Sequence, residues 1–352
     1  MLKGVKVAVL GLACIGMLAS AGCRSKGSVV SGPTAVVLNM APKPALHFVD
    51  LATGRDVARV KLRSCSTDMD AGSGMVVTAQ CGGVSTDADD VVGVYDTTQG
   101  GRVRYFKSVA PNPLDATMIT SSTALVSNGW LDKDGLVVAL VDVRLRKTLR
   151  EGRIPNMTNA PVVVGGTLWS PGVYMDGSKR ELRRIDAATL ESVVVTVGPE
   201  SPAMIVGDRE DPSRMFAIKW WDRHTSPRRV EVQRFDGTAQ SLAVPGITYD
   251  FADGPGRSAM IGDVLAVADF NDEGAPDHGR HLMLLRPGIS DEVRKVSIPG
   301  GAASICVWRG KFLVLESQTG RIYSVDPESG AKRRIGAVEG SDRMLIDMAV
   351  LD

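Results

Sequence analysis

Net charge is what this chain most lacks. Its 41 lysines and arginines stand against 40 aspartates and glutamates, a formal balance of +1. With no excess of one sign, composition predicts no basic face, and nucleic acid is not the expected partner. Aromatics are scarce at 5%. Histidines number four: His47, His224, His278 and His281. His47 reads as strand packing. Only His278 and His281 stand at a ligand-like spacing, and a zinc site needs a denser set of His and Cys. The nearby run DFNDEG imitates the start of a calcium loop, but its twelfth position is Arg280, where a bidentate Glu is required. There is no G-x-S-x-G and no Walker loop, so neither nucleophile-elbow nor P-loop chemistry is expected. No metal site is expected.

Long apolar runs are missing too. Residues 7–18 are uncharged and apolar, too few to span a bilayer, which takes roughly 20 residues. They follow Lys3 and Lys6 and precede ASAGC at 19–23, the order of a secretory signal peptide. Two cleavage readings stand side by side. Ala19-Ser20-Ala21 fits an A-x-A site before Gly22. Ala21-Gly22-Cys23 looks like the end of a bacterial lipobox, with Ser20 where Leu is usual, and would make Cys23 the lipid attachment residue. The polar stretch RSKGSVVSGP then serves as a tether. The expected organisation is a signal peptide over 1–22, a tether over 23–33 and one domain over 34–352. That domain is exported, either lipid-anchored at the membrane face or secreted, and monomeric.

Cysteine is rare, at five residues, and its placement agrees with export. Cys14 lies in the leader. Cys65 and Cys81 flank the hairpin CSTDMDAGSGMVVTAQC, and a disulfide between them would close a loop worth about 3 kcal/mol in the chain-entropy account. Cys306, in the apolar run ASICVWRG, reads as packing.

What the chain does contain is repetition. Glycine is abundant at 38 residues, and short β-branched runs alternate with turns. An apolar residue, an Asp and a turn recur at Asp50, Asp96, Asp142, Asp186, Asp236 and Asp326, with Arg286 in the seventh place. The spacings run from 40 to 50 residues and average 46. An Asp at a strand end bonds its own backbone two residues on and starts a turn. Forty-six residues hold about four short strands with their turns. Self-similarity at this period is the signature of a β-propeller. The expected fold is all-β, seven blades of four antiparallel strands. TAVVLNM and ALHFVDL read as the second and third strands of a blade whose first strand is missing. RMLIDMAVLD, at the other end of the chain, can supply it and close the ring.

With VDLATGR and VDPESGA as D-x-x-T/S-G turns, the chain resembles the seven-bladed propellers grouped as quinoprotein-like or YVTN-like, a WD40-like repeat type. Quinone-binding repeats of that group place a Trp shortly after the Gly. This chain has Val57, Arg104 and Arg333 there, so no cofactor is expected.

Two surfaces are candidates for function. Asp70, Asp115, Glu200, Asp250 and Asp347 fall near the first strands of five blades and could ring a central channel. Acid–base chemistry there would need two carboxylates with different pKa values. The links between second and third strands lengthen in blades two to six, and insertions in repeat proteins gather on one face. Trp130, Trp169, Trp220 and Trp221 stand at the base of these links. Trp220, Trp221, Arg223, His224, Arg228 and Arg229 form the candidate partner-binding rim. The expected function is non-catalytic binding of a protein or glycan at the cell envelope, on a rim of blades three to six. A propeller hydrolase or lyase using channel carboxylates is the alternative, and an envelope-assembly scaffold lipoprotein a further one.

Overall fold

A computed structural model describes residues 32–80, 91–108, 112–128, 135–155, 161–173, 180–198, 201–220, 228–251, 255–269, 280–340 and 344–352. Strands pair in seven antiparallel four-stranded sheets. Blade one holds β1 (Thr34–Asn39), β2 (Ala45–Asp50) and β3 (Asp56–Lys61). Blade two holds β4 (Ser66–Gly72), β5 (Met75–Gln80), β6 (Val91–Asp96) and β7 (Arg104–Lys107). Blade three holds β8 (Pro113–Met118), β9 (Thr123–Asn128), β10 (Leu136–Asp142) and β11 (Lys147–Ile154). Blade four holds β12 (Val162–Val164), β13 (Thr167–Val173), β14 (Arg180–Ile185) and β15 (Ser192–Val197). Blade five holds β16 (Met204–Gly207), β17 (Met215–Trp220), β18 (Arg228–Arg234), the short helix α1 (Ala239–Leu242) and β19 (Ile247–Phe251). Blade six holds β20 (Pro255–Ile261), β21 (Val264–Asp269), β22 (His281–Arg286) and β23 (Ser290–Ser297). Blade seven holds β24 (Ala302–Trp308), β25 (Lys311–Glu316), β26 (Arg321–Val325) and β27 (Lys332–Ala337). Last comes β28 (Leu345–Leu351), which pairs with β1 and completes blade one. The seam is therefore closed as the repeat predicts.

The middle strands show why the ring holds. In a strand, successive side chains point to opposite faces. Val36, Leu38, Leu46 and Phe48 pack toward blade two, while Ala35, Val37 and Val49 pack toward blade seven. Every residue of β1 is buried, and between Thr34 and Asn39 the run AVVL is apolar on both faces. The same division gives seven core clusters, one between each pair of neighbouring blades. Phe48 meets Tyr95 at 5.2 Å across one such gap. Trp169 meets Phe235 edge-on across another, so it is packing rather than rim.

The aspartate turns form as expected. In all six, a carboxylate oxygen accepts the backbone N–H two residues on, at 2.8 to 3.0 Å. Position four after the Asp is left-handed in five of them: Gly54, Gly100, Arg146, Leu190 and Gly330. One consequence was not legible. After Asp236 the chain makes α1 before β19, so the outer strand of blade five starts late. Asp250 therefore lies on β19, an outer strand, and not on an inner one as the sequence suggested.

Candidate functional site

The first strand of each blade, with β28 for blade one, lines the axis. Around the ring β28 lies against β4 and β24, β4 against β8, β20 against β24, and β16 against β12 and β20. These strands start at the end where the second strand hands on to the third, here the link end. They finish at the end that carries the aspartate turns.

Five inner strands share one irregularity near the link end. The pairing slips between Ser66 and Asp68, Pro113 and Asp115, Pro255 and Ser258, and Ala302 and Ser304, and on β28 between Leu345 and Asp347. A bulge frees a residue from the ladder and re-aims its side chain. The third residue of each of these strands is Asp68, Asp115, Arg257, Ser304 and Asp347. Five blades thus deliver four ionisable side chains and a hydroxyl to one depth of the channel.

Their bonds run from blade to blade. Ser304 Oγ donates to Asp347 Oδ1 at 2.9 Å. Asp347 Oδ2 accepts the Met69 N–H at 3.3 Å. Asp68 Oδ2 accepts the Ala116 N–H at 3.0 Å, and Asp70 Oδ2 accepts the Met118 N–H at 2.8 Å. Inner strands have one edge unpaired, and a neighbour's carboxylate satisfies donors there that would otherwise be orphaned. Blades seven, one, two and three are sewn together in this way.

Two arginines cross the channel. Arg257 of blade six brings Nη2 to 3.6 Å from Asp68 Oδ1 of blade two, and 51% of its side chain stays open to solvent against 14% for Asp68. It lies deep in the ring yet faces the lumen. At the turn end, Arg209 from the β16–β17 connection donates to Asp70 Oδ2 at 2.9 Å and also to the Met118 carbonyl. That contact spans from blade five to blades two and three at the turn end.

The electrostatics single out two carboxyls. Burial pushes Asp68 well above the usual carboxylate range; the Asp347 charge and a hydrogen bond to its carboxylate push the same way, and Arg257 opposes them. Burial also raises Asp115, against Ser127, whose Oγ donates to Asp115 Oδ2 at 3.1 Å. Asp347, foremost among the three carboxylates, holds the Arg257 guanidinium charged.

Of the predicted channel residues, the structure brings Asp70, Asp115 and Asp347 to inner strands; Glu200 lies outside the described residues. Asp68, Arg257, Arg209 and Ser304 were missed. Their shared signal is a polar residue two places after the start of each short first strand, in STDMD, PLDAT, PGRSA, AASIC and LIDMA. Cys65 is disulfide-bonded, and its expected partner Cys81 lies outside the described residues, as do Cys23, Trp130, Trp221, Arg223 and His224. Trp220 closes β17, Arg228 opens β18, and Arg229 is exposed on β18. The lengthened links 81–90, 129–134, 174–179, 221–227 and 270–279 also fall outside. They join second to third strands, so their ends are anchored at the link end.

No family model and no curated protein matches this chain. Among solved structures, a candidate 6-phosphogluconolactonase from Bacteroides fragilis is similar with a TM-score of 0.58 and 10% identity, covering 92% of this chain and 99% of that one. Apo AztD from Citrobacter koseri is similar with a TM-score of 0.52 and 12% identity, covering 92% and 98%. At such identity the likeness is one of fold, and the fold it supports is the propeller already built from the strands.

Proposed function

We propose that this is an exported binding propeller whose ligand sits at the link end of the channel, over Arg257, Asp115 and Asp68. The observation that carries the reading is Arg257. It is a solvent-open cation held across the channel by carboxylates of other blades, which suits it to donate hydrogen bonds to a visitor. Asp115 is bonded only to Ser127 among the described residues, and so keeps an oxygen to accept. Asp68, raised chiefly by burial, holds its proton more tightly than an ordinary carboxyl and lies beside Arg257. A cationic donor at Arg257 thus stands beside an anionic acceptor at Asp115, a pairing that fits a neutral, hydroxyl-rich ligand such as a glycan better than a strong anion or cation. The links of blades three to six, rooted at the same end, would supply the surrounding rim. A lipid on Cys23 would hold the domain at the envelope; Cys23→Ala should then move it from the membrane to the soluble fraction.

A second reading rests on the same carboxyls. Burial, helped by the charge of Asp347, raises Asp68, and two neighbouring carboxyls of which one holds its proton more tightly is the arrangement acid–base hydrolysis uses. One experiment separates the two. A panel of neutral oligosaccharides is screened by saturation-transfer NMR against wild type, Arg257→Gln and Asp115→Asn. Binding that each variant weakens about tenfold, roughly 1.4 kcal/mol, with an unchanged melting temperature, supports the proposal. Cleaved products support the hydrolase or lyase. Binding indifferent to Arg257→Gln, or none, overturns the site.

A further inference from the structure

The balanced charge of the whole chain hides an uneven distribution. Each blade ends in an outer strand on the circumference of the ring. On four consecutive blades, seven, one, two and three, these strands read KRRIGA, DVARVK, RYFK and KTLREGRI. They carry ten basic side chains, all exposed, and two acidic ones. One of the two, Asp56, is turned inward onto His47 at 2.7 Å. The outer strands of blades four, five and six read SVVVTV, ITYDF and SDEVRKVS, with two basic residues and three acidic. Among the described residues no carboxylate forms an ion pair with Lys61, Lys107, Lys147, Arg333 or Arg334. The composition therefore misled: more than half of the circumference is a basic belt.

We infer that this belt binds a flexible acidic polysaccharide wrapped along the side of the ring. Charge complementarity selects a polyanion. Shape selects its form. A flat bilayer meets a disc standing on edge along one or two blades and leaves the rest of a four-blade arc unused, whereas a flexible chain follows the curve. The aromatics select against nucleic acid. Single-stranded nucleic acids are held by bases stacked on exposed rings, and the only rings on these four strands are Tyr105 and Phe106, one tied through its hydroxyl to the Arg63 N–H and the other packed on the core. A carboxylated or sulfated glycan needs cations alone. This surface is separate from the channel, and the proposal does not depend on the channel being a site.

The test uses the folded domain, with heparin and polygalacturonate as acidic polysaccharides. Phosphatidylglycerol vesicles and poly(dT) are the competing polyanions. The variant is Lys61→Glu/Lys107→Glu. A control with the same charge change, Val193→Glu/Val194→Glu/Lys295→Glu, lies on blades four and six. Wild type should bind a polysaccharide with log affinity falling linearly against log salt, and the variant should lose at least tenfold with a slope shallower by roughly 1.5. The control should lose less than twofold. If the variant does not fold, Lys61→Gln/Lys107→Gln should lose at least threefold. Equal losses in variant and control, tighter binding of vesicles or poly(dT) than of either polysaccharide, or no binding at low salt would each overturn the inference.

Discussion

Aspartate does two opposite jobs in this ring, and pH separates them. In the turns it is half-buried or exposed and accepts backbone N–H groups. Asp50 is held below the usual range first by the Ala52 N–H, and Asp326 by the Lys311 ammonium and the turn amides. A depressed folded pKa gives stability that is present above about 3.8 and lost as pH falls through the folded value. At the link end, Asp68 and Asp115 are raised, chiefly by burial. Their sign is reversed: the folded state binds the proton more tightly, so their contribution is full at low pH and is lost as pH rises through the folded pKa. Asn keeps the shape of a protonated Asp. Asp68→Asn should accordingly melt higher than wild type at pH 8, with the gap closing toward pH 4. Asp50→Asn should melt lower at pH 8, with its own gap closing on acidification. Thermal denaturation across that range reads both. A melting temperature for Asp68→Asn below wild type at pH 8 would mean that its pairing with Arg257 outweighs burial.

At the level of elements, the aspartate turn makes one backbone demand. The residue four after Asp has a positive φ of 71° at Gly54 and 54° at Arg146. An L side chain there costs about 1–2 kcal/mol, which glycine escapes. Arg146→Gly should raise stability by about 1 kcal/mol, less the extra chain entropy that glycine loses. Gly54→Ala faces the strain and a collision as well, since a Cβ would meet the Ile335 carbonyl oxygen of blade seven at 2.4 Å. It should cost more than the strain alone, and urea denaturation of the two variants checks both signs. The turns were readable in the sequence because their chemistry is local: Asp, small residues and Gly within five positions. Middle strands were readable because both faces are buried. The inner strands were not. They run from three to seven residues, five of them carry a bulge, and their polar residues bond to other blades rather than within their own. Asp68 and Arg257 come together from positions 189 residues apart, a pairing no local pattern announces. Asp250 was misplaced for a related reason: α1 took up residues that the repeat length assigned to a strand.

Seen as a whole molecule, stability turns on one short strand. A propeller is a stack of blades bent until its ends meet, and a gap at the seam exposes two faces at once. Here β28 closes that gap in three ways. It pairs with β1 along its length. It divides its apolar side chains, Leu345 and Met348 toward blade seven and Ala349 and Leu351 toward blade two. Through Asp347 it joins Ser304 of blade seven to Met69 of blade two. Leu345, Met348 and Leu351 together, at about 1.5–3 kcal/mol each, approach the roughly 5–15 kcal/mol by which a whole domain is usually stable. Deleting residues 345–352 would also lay bare the edge of β1, a fully buried and uncharged strand of the kind that recruits other chains. The truncated protein should therefore lose its cooperative thermal transition and elute as soluble aggregate. A synthetic peptide of residues 344–352, added during refolding, should restore both the transition and a monodisperse species. The same peptide with Asp347→Lys should restore them poorly, because a cation there meets Arg257 and leaves the Met69 N–H without an acceptor. If the truncated chain stays monodisperse and melts within a degree or two of the intact one, the other six blades hold the ring alone, and the seam contributes far less than its burial implies.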